Sequence, residues 1–267
     1  MAFELGVILP NYGDGASPAG IAHVAETAEE VGFDSVWATE HVLVAAQAAE
    51  QFGRVIAPLP TLAWLAARTQ RLGLGTSILI LPLHNPIHVA KEAASLQELS
   101  GGRFRLGVGI GWHEDEFRFL GESFTDRSRR ADEALRLIRA LWSGERSFGG
   151  RYWSFEDASF APLPDPPPEL WVGGRSERAL RRAREHGAVW HPTRVGPDDV
   201  RRAKELRPDG VVVPRIGGDD PDEVARQVEA LREAGADGAV VSFGLEPERI
   251  VESMRTFAQV ALPALRG

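Results

Sequence analysis

The chain has 267 residues, 43% of them hydrophobic, which is enough for one large domain with a continuous core. It has no cysteine, which excludes a disulfide framework, a thiolate nucleophile and a cysteine-ligated zinc, and its net charge of −8 argues against a nucleic-acid partner. No uncharged apolar run reaches membrane-spanning length and MAFELGVILP has no basic stretch ahead of its apolar run, so a cytoplasmic protein acting on a small molecule, not on a membrane, is expected.

Strand-like and helical patterns alternate along the chain. FELGVIL (3–9) is an apolar run. Ser17-Pro18 then offers an N-cap and an N1 proline, and Ile21, Val24, Ala25, Ala28 and Val31 keep a helical period until Gly32. DSVWAT (34–39) is the second predicted strand and ends in Glu40-His41. The segment 42–60 that follows is long for a strand-to-helix connection and reads as a lid or binding loop. A helix fits 59–69, a strand LGLGTSILI (72–80), and Asn85-Pro86 opens a helix that stops at Gly101.

RFRLGVGI (103–110) is the fourth predicted strand, followed by Gly111, Trp112 and HEDEF (113–117), and a helix fits 127–142. GRYWSFEDASF (150–160) and the proline-rich APLPDPPPEL (161–170) read as a short excursion between the fourth helix and the fifth strand. LWVGG (170–174), AVWHP (188–192), GVVVPRI (210–216) and AVVSF (239–243) complete the strands. Helices fit 176–186, 198–206, the stretch from Asp220-Pro221 to Gly235, and 247–261.

Eight strands, mostly apolar on both faces and each followed by a helix, predict a single α/β domain over 1–267: a (β/α)8 TIM barrel. A doubly wound open sheet shares the alternation and is the rival architecture.

In a barrel the chemistry gathers at the C-terminal ends of the strands. Glu40 and His41 stand at such an end; they either pair with each other and cap the loop, or work on a ligand, and their position favours work. GVGIG (107–111) has the spacing G-x-G-x-G with acidic residues after it, which does not fit a dinucleotide fingerprint. Small residues there admit a flat ligand or another backbone. Packing inside the barrel alone would explain Gly107 and Gly109, less easily Gly111-Trp112.

Gly173-Gly174 precede Ser176, an N-cap candidate, so this turn is either a plain tight turn or an anion site to which Arg175 adds a charge. His191 and Arg215 end the sixth and seventh strands and are candidates to face the pocket. His84 lies beyond the third strand, whereas His23, His88 and His186 fall in helices and read as surface or packing residues. Glu40, His41, His113, Glu114, Asp115 and Glu116 could be assembled around a metal, but the first strand lacks the His-x-His pair of many metal-dependent barrel hydrolases, so no metal is expected.

Glu40-His41, GTSILILPLHNP (75–86), LSGGRFRLGVGIGWHEDEF (99–117) and ELWVGG (169–174) together resemble the bacterial luciferase-like superfamily, and within it the LLM-class F420-dependent oxidoreductases. The resemblance runs from residue 3 to about 260, and the segment from Leu99 to Trp112 is its most specific part. It implies a (β/α)8 barrel of the luciferase-like type with a deazaflavin or flavin across its mouth.

His41 matches the family histidine beside the reactive edge of the ring, and Glu40 the acidic residue next to it. If strand geometry persists through residue 41, only one of the two faces the barrel axis, and the resemblance assigns that place to His41. Ser77-Ile78 matches a non-proline cis peptide forming a bulge behind the ring. Gly109 and Gly111 match close-approach glycines, and Gly173 and Gly174 a phosphate-binding turn, beside which Arg175 is the cofactor-binding candidate read from the residues. Trp112, His191 and Arg215 are left for the substrate pocket.

In the sugar-phosphate dehydrogenase branch an acidic glutamate directly follows the strand-four glycines; here Trp112 takes its place, and the lysines that branch uses for phosphate have no clear match. The resemblance therefore implies an oxidoreductase moving hydride between coenzyme F420 and a small organic substrate, other than a sugar phosphate, with an FMN-dependent monooxygenase as the alternative. Relatives are often homodimers, and the same assembly is open to this chain. A non-catalytic flavin-binding protein and a metal-dependent barrel hydrolase are rivals from other classes.

Overall fold

The computed structural model describes residues 3–266. In chain order its elements are β1 (Glu4–Ile8), α1 (Pro18–Val31), β2 (Ser35–Ala38), a short α2 (Ala49–Phe52), α3 (Pro58–Ala66), β3 (Gly73–Thr76), β4 (Leu79–Ile80), α4 (Pro86–Leu99), β5 (Phe104–Gly109), α5 (Glu114–Phe119) and α6 (Arg127–Trp142). A small antiparallel hairpin, β6 (Phe148–Gly149) and β7 (Ser154–Phe155), follows. Then come β8 (Glu169–Gly173), α7 (Glu177–Glu185), β9 (Val189–His191), α8 (Pro197–Leu206), β10 (Arg215–Gly217), α9 (Pro221–Glu233), β11 (Gly238–Ser242) and α10 (Pro247–Arg266).

The main strands pair in the order β10-β11-β1-β2-β3-β5-β8-β9, with β4 added to β5, and every pairing is parallel. Parallel bridges Trp190–Val212 and Thr193–Arg215 close the gap between β9 and β10. The expected barrel is the fold that forms, and the open sheet is excluded. Local signals start the helices as read from sequence. The side chains of Ser17, Asn85 and Asp220 accept main-chain N–H bonds from Gly20, Ile87 and Asp222, each just ahead of a proline in the first turn.

Two hydrophobic clusters follow from the geometry. The larger joins the outer faces of the strands to the helices; the smaller, with Ile8, Trp37, Trp171, Val189, Val213 and Val240, fills the barrel lumen. The rings of Trp37 and Trp171 are 4.3 Å apart between centroids. Glycine is required opposite them: a Cβ on Gly75 would lie 2.2 Å from the Trp37 ring. The indole N–H groups find Ser35 Oγ at 2.8 Å and Glu169 Oε2 at 2.6 Å. These residues plug the lumen beneath the C-terminal mouth.

Three predicted elements differ. The run 72–80 is two segments, because the chain leaves the ladder at Ser77–Ile78, whose peptide bond is cis as the resemblance implied. Here the Thr76 hydroxyl stands in for the ladder, donating to Gly107 O at 2.7 Å and accepting from Gly107 N–H at 2.9 Å. The run 210–216 pairs continuously only from Arg215, since Pro214 has no N–H to give. HEDEF contributes a helical turn, α5, where the sequence reading assigned no element. The excursion packs back onto the barrel: Glu133 accepts the N–H groups of Arg151, Tyr152 and Trp153. Among the described residues no helix is long and apolar enough to cross a membrane.

Thr76→Val keeps the shape but strips both bonds to Gly107. Each buried group left unpaired costs about 1–3 kcal/mol, so urea denaturation should show a clearly lowered midpoint with unchanged slope; an unchanged midpoint would mean that Thr76 does not hold the break together.

Candidate active site

A cavity of about 640 Å³ opens at the C-terminal mouth of the barrel. Of the residues singled out from sequence, Glu40, His41, Ser77, Ile78, Gly109, Gly111, Trp112, Gly173, Gly174, His191 and Arg215 border it. Arg175 does not: it is exposed outside the lining, so the charge expected at the Gly173-Gly174 turn is not directed into this cavity.

β2 ends at Ala38, so the pleat does not carry through residue 41 and Glu40 and His41 both border the cavity, contrary to the alternation expected for a continuing strand. They also do not pair with each other. Glu40 accepts from the Ile80 N–H at 2.6 Å and from His84 Nε2 at 3.0 Å, which fastens it to the segment leaving β4. Burial opposes a charge on His84, but the Glu40 carboxylate outweighs it and raises His84 above the usual imidazole value. His41 turns the other way, its Nδ1 lying 2.9 Å from Glu116 Oε2 on α5. Phe52 packs on its ring with centroids 4.3 Å apart, and Trp112 meets it edge-on at 5.9 Å.

Ser77 is held from four sides. Its N–H donates to Ala38 O at 2.8 Å, and its carbonyl accepts from Arg215 Nη1 at 2.9 Å and Thr39 Oγ1 at 3.2 Å. Its hydroxyl lies 2.9 Å from His191 Nε2. His191 Nδ1 is 2.6 Å from the Val213 carbonyl, which can only accept; the proton therefore sits on Nδ1, and Ser77 donates to Nε2. Burial, reinforced by the Arg215 cation against the pull of Val213, pushes His191 down to about 4, so it is neutral.

Ile78 projects from this bulge between two glycines: a Cβ on Gly109 would lie 2.6 Å, and one on Gly173 2.9 Å, from its side chain. Those glycines make room for the bulge itself, the packing reading of Gly109. Gly111 and Gly174 instead take left-handed conformations, φ +74 and +102.

Arg215 is bound only to neutral oxygens, with Thr39 Oγ1 at 3.2 Å and Tyr12 Oη at 3.3 Å besides Ser77 O. No carboxylate pairs with it among the described residues. A guanidinium has five N–H donors, so some remain for a ligand. Cation, apolar Ile78 platform and aromatic wall together fit a flat heterocycle with polar edges and a partial negative charge. Among the described residues no group of three or more histidines and carboxylates lies together as a metal site.

Sequence reading missed Tyr12, Thr39 and Phe52, and weighed Glu116 only as a metal ligand. Tyr12 and Phe52, stacked at 5.9 Å, arrive on a loop and at the end of the four-residue α2, where no periodicity reports direction. Glu116 is one of three acids in HEDEF, and only the turn of α5 selects it.

Comparison with known proteins decides the family. The model of the luciferase-like monooxygenase family matches residues 3–207. The chain belongs to the luciferase-like monooxygenase family. A curated relative of this family in Kineococcus radiotolerans, an F420-dependent glucose-6-phosphate dehydrogenase, is 38% identical over 161 residues, 58% of this chain and 47% of that protein. The chain thus spans about half the length of the first curated relatives it matches. Among solved structures, an F420-dependent secondary alcohol dehydrogenase in complex with an F420-acetone adduct covers 100% of both chains with a TM-score of 0.85 and 18% identity. The monooxygenase RslO1 of Streptomyces bottropensis has a TM-score of 0.83 at 21% identity over 98% of this chain and 99% of its own. These likenesses to luciferase-like structures establish the shared fold.

The neutral His191 has a consequence for stability. Its folded pKa lies below the unfolded value of about 6.5, so between the two the unfolded chain binds the extra proton. Its contribution is complete above pH 6.5 and is lost as pH falls toward 4. His191→Gln preserves a donor and an acceptor but cannot titrate. Between pH 7 and pH 5 the wild type should lose about 2 kcal/mol more than this variant in urea denaturation; equal losses would show that His191 is not buried neutral.

Proposed function

We propose that this luciferase-like protein is an oxidoreductase that binds coenzyme F420 and moves hydride to or from a small organic alcohol or carbonyl compound. The observation that carries this reading is one cavity holding an unpaired cation, Arg215, the Ile78 platform and the imidazole of His41. The names of the curated relative and of the alcohol dehydrogenase support F420 as the partner.

Ile78 would carry the flat face of the ring, Arg215 its electron-rich edge, and the left-handed Gly174 turn the phosphate-bearing tail. The bound group supplies the two-electron hydride chemistry, and the protein supplies position and charge. His41 gives or takes the proton of the substrate oxygen. Trp112, 62% exposed, and Phe52 offer the substrate an apolar wall, and no lysine borders the cavity among the described residues. That wall suits a neutral substrate better than the sugar phosphate in the relative's name.

Fluorescence titration tests the cofactor. Coenzyme F420 should bind more tightly than FMN; tighter FMN binding would turn the reading to the monooxygenase side of the family, represented by RslO1, and binding of neither would end it. With the preferred cofactor saturating, His41→Ala should bind that cofactor normally while turnover drops about 10²–10⁴-fold. Near-normal turnover would leave His41 a structural residue.

A further inference from the structure

Glu116 is fully buried, and its carboxylate collects three donors. The N–H groups of Val42 and Leu43 reach Oε1 at 2.5 and 3.3 Å, and His41 Nδ1 reaches Oε2 at 2.9 Å. Burial works against a charge on Glu116, but the bonds from His41 and the two amides outweigh it and hold the carboxyl below its usual value. An ionised carboxylate only accepts, so the proton of the neutral imidazole lies on Nδ1. Nε2 has no hydrogen-bond partner among the described residues, and His41 borders the cavity. Phe52 and Trp112 flank the ring and oppose its rotation.

We propose that Glu116 is the positioning residue of this site: it holds His41 as the Nδ1–H tautomer and presents the Nε2 lone pair to the substrate oxygen. The inference rests on the reading of His41 as the proton carrier. In the oxidative direction the substrate O–H bond breaks and its proton forms the N–H bond at Nε2. His41 is then doubly protonated and positive, with the Glu116 carboxylate as its counter-charge. In the reductive direction the same proton returns to oxygen. Glu40 and His84 pair with each other, and His41 pairs with Glu116.

Glu116→Gln separates tautomer control from packing. The amide has the shape of the carboxyl, but its oxygen must still face the Val42 and Leu43 N–H groups. That turns the NH₂ toward His41 Nδ1, which can then only accept, and the ring proton moves to Nε2. The lone pair is on the wrong nitrogen. Where a buried carboxylate sets the tautomer of a catalytic histidine, that exchange costs about 10⁴-fold.

The test is ¹⁵N NMR of the cofactor-free full chain labelled at histidine, with the His41 signals assigned by their loss in His41→Ala. The wild type at mildly alkaline pH should show a protonated Nδ1 and a bare Nε2, and Glu116→Gln should show the reverse. Turnover of Glu116→Gln should fall about 10²–10⁴-fold with KM little changed, and Glu116→Asp, still an acceptor, should recover part of it. A wild-type His41 found as Nε2–H overturns the proposal, whether or not the variants fold; so does a Glu116→Gln protein with the wild-type tautomer and rate. A protein that shows the Nδ1–H tautomer but binds neither coenzyme F420 nor FMN overturns the oxidoreductase reading and supports the assignment of Glu116.

Discussion

The chain leaves the regular sheet at Ser77–Ile78, where Ser77 is buried, so its polar atoms must be paired again outside the ladder. The replacements come from four other barrel positions: the end of β2 at Ala38 and Thr39, Gly107 on β5 through Thr76, His191 on β9 and Arg215 on β10. The side chain that the bulge carries, Ile78, fits only because Gly109 and Gly173 have no Cβ. Thr39, Gly109, Gly173, His191 and Arg215, all at the mouth, therefore hold or make room for one irregular turn, which helps shape the cavity.

Charge is distributed just as unevenly. On the Arg215 side a cation rests on neutral oxygens beside an imidazole that burial keeps neutral. On the other side two carboxylates, Glu40 and Glu116, each hold a histidine. A ligand lying between would meet an attractive cation at Arg215 and the imidazole of His41. Interactions of this kind are stronger in a partly dry cavity than in water, which is why a few fixed groups suffice to orient a flat, polarisable ring.

The fold was legible because its signals are local. Proline after Ser17, Asn85 and Asp220 marks helix starts whatever the tertiary structure, and apolar runs such as SVWA report burial on both faces. Part of the cavity lining was legible from strand ends: His191 closes β9 and His41 follows β2, whereas Arg215, read as the end of a strand, opens β10. The site was not legible where direction depends on something distant. Glu40 and His41 diverge because β2 has already ended, and Arg175 leaves the cavity because the chain turns at Gly174. Glu116 lies 75 residues from His41 in the chain, and nothing in HEDEF distinguishes it from the two acids before it.

The Glu116 carboxylate ties two features that would otherwise vary independently. Through Oε2 it holds the ring of His41, and through Oε1 it holds the backbone of Val42 and Leu43, whose side chains are 51% and 53% exposed next to it. The imidazole and the loop backbone are thus fixed to one buried charge on α5. A loop tied elsewhere would let the imidazole drift; a loop fastened to the same carboxylate cannot shift without disturbing the ring of His41, so the ring keeps one place beside the cavity.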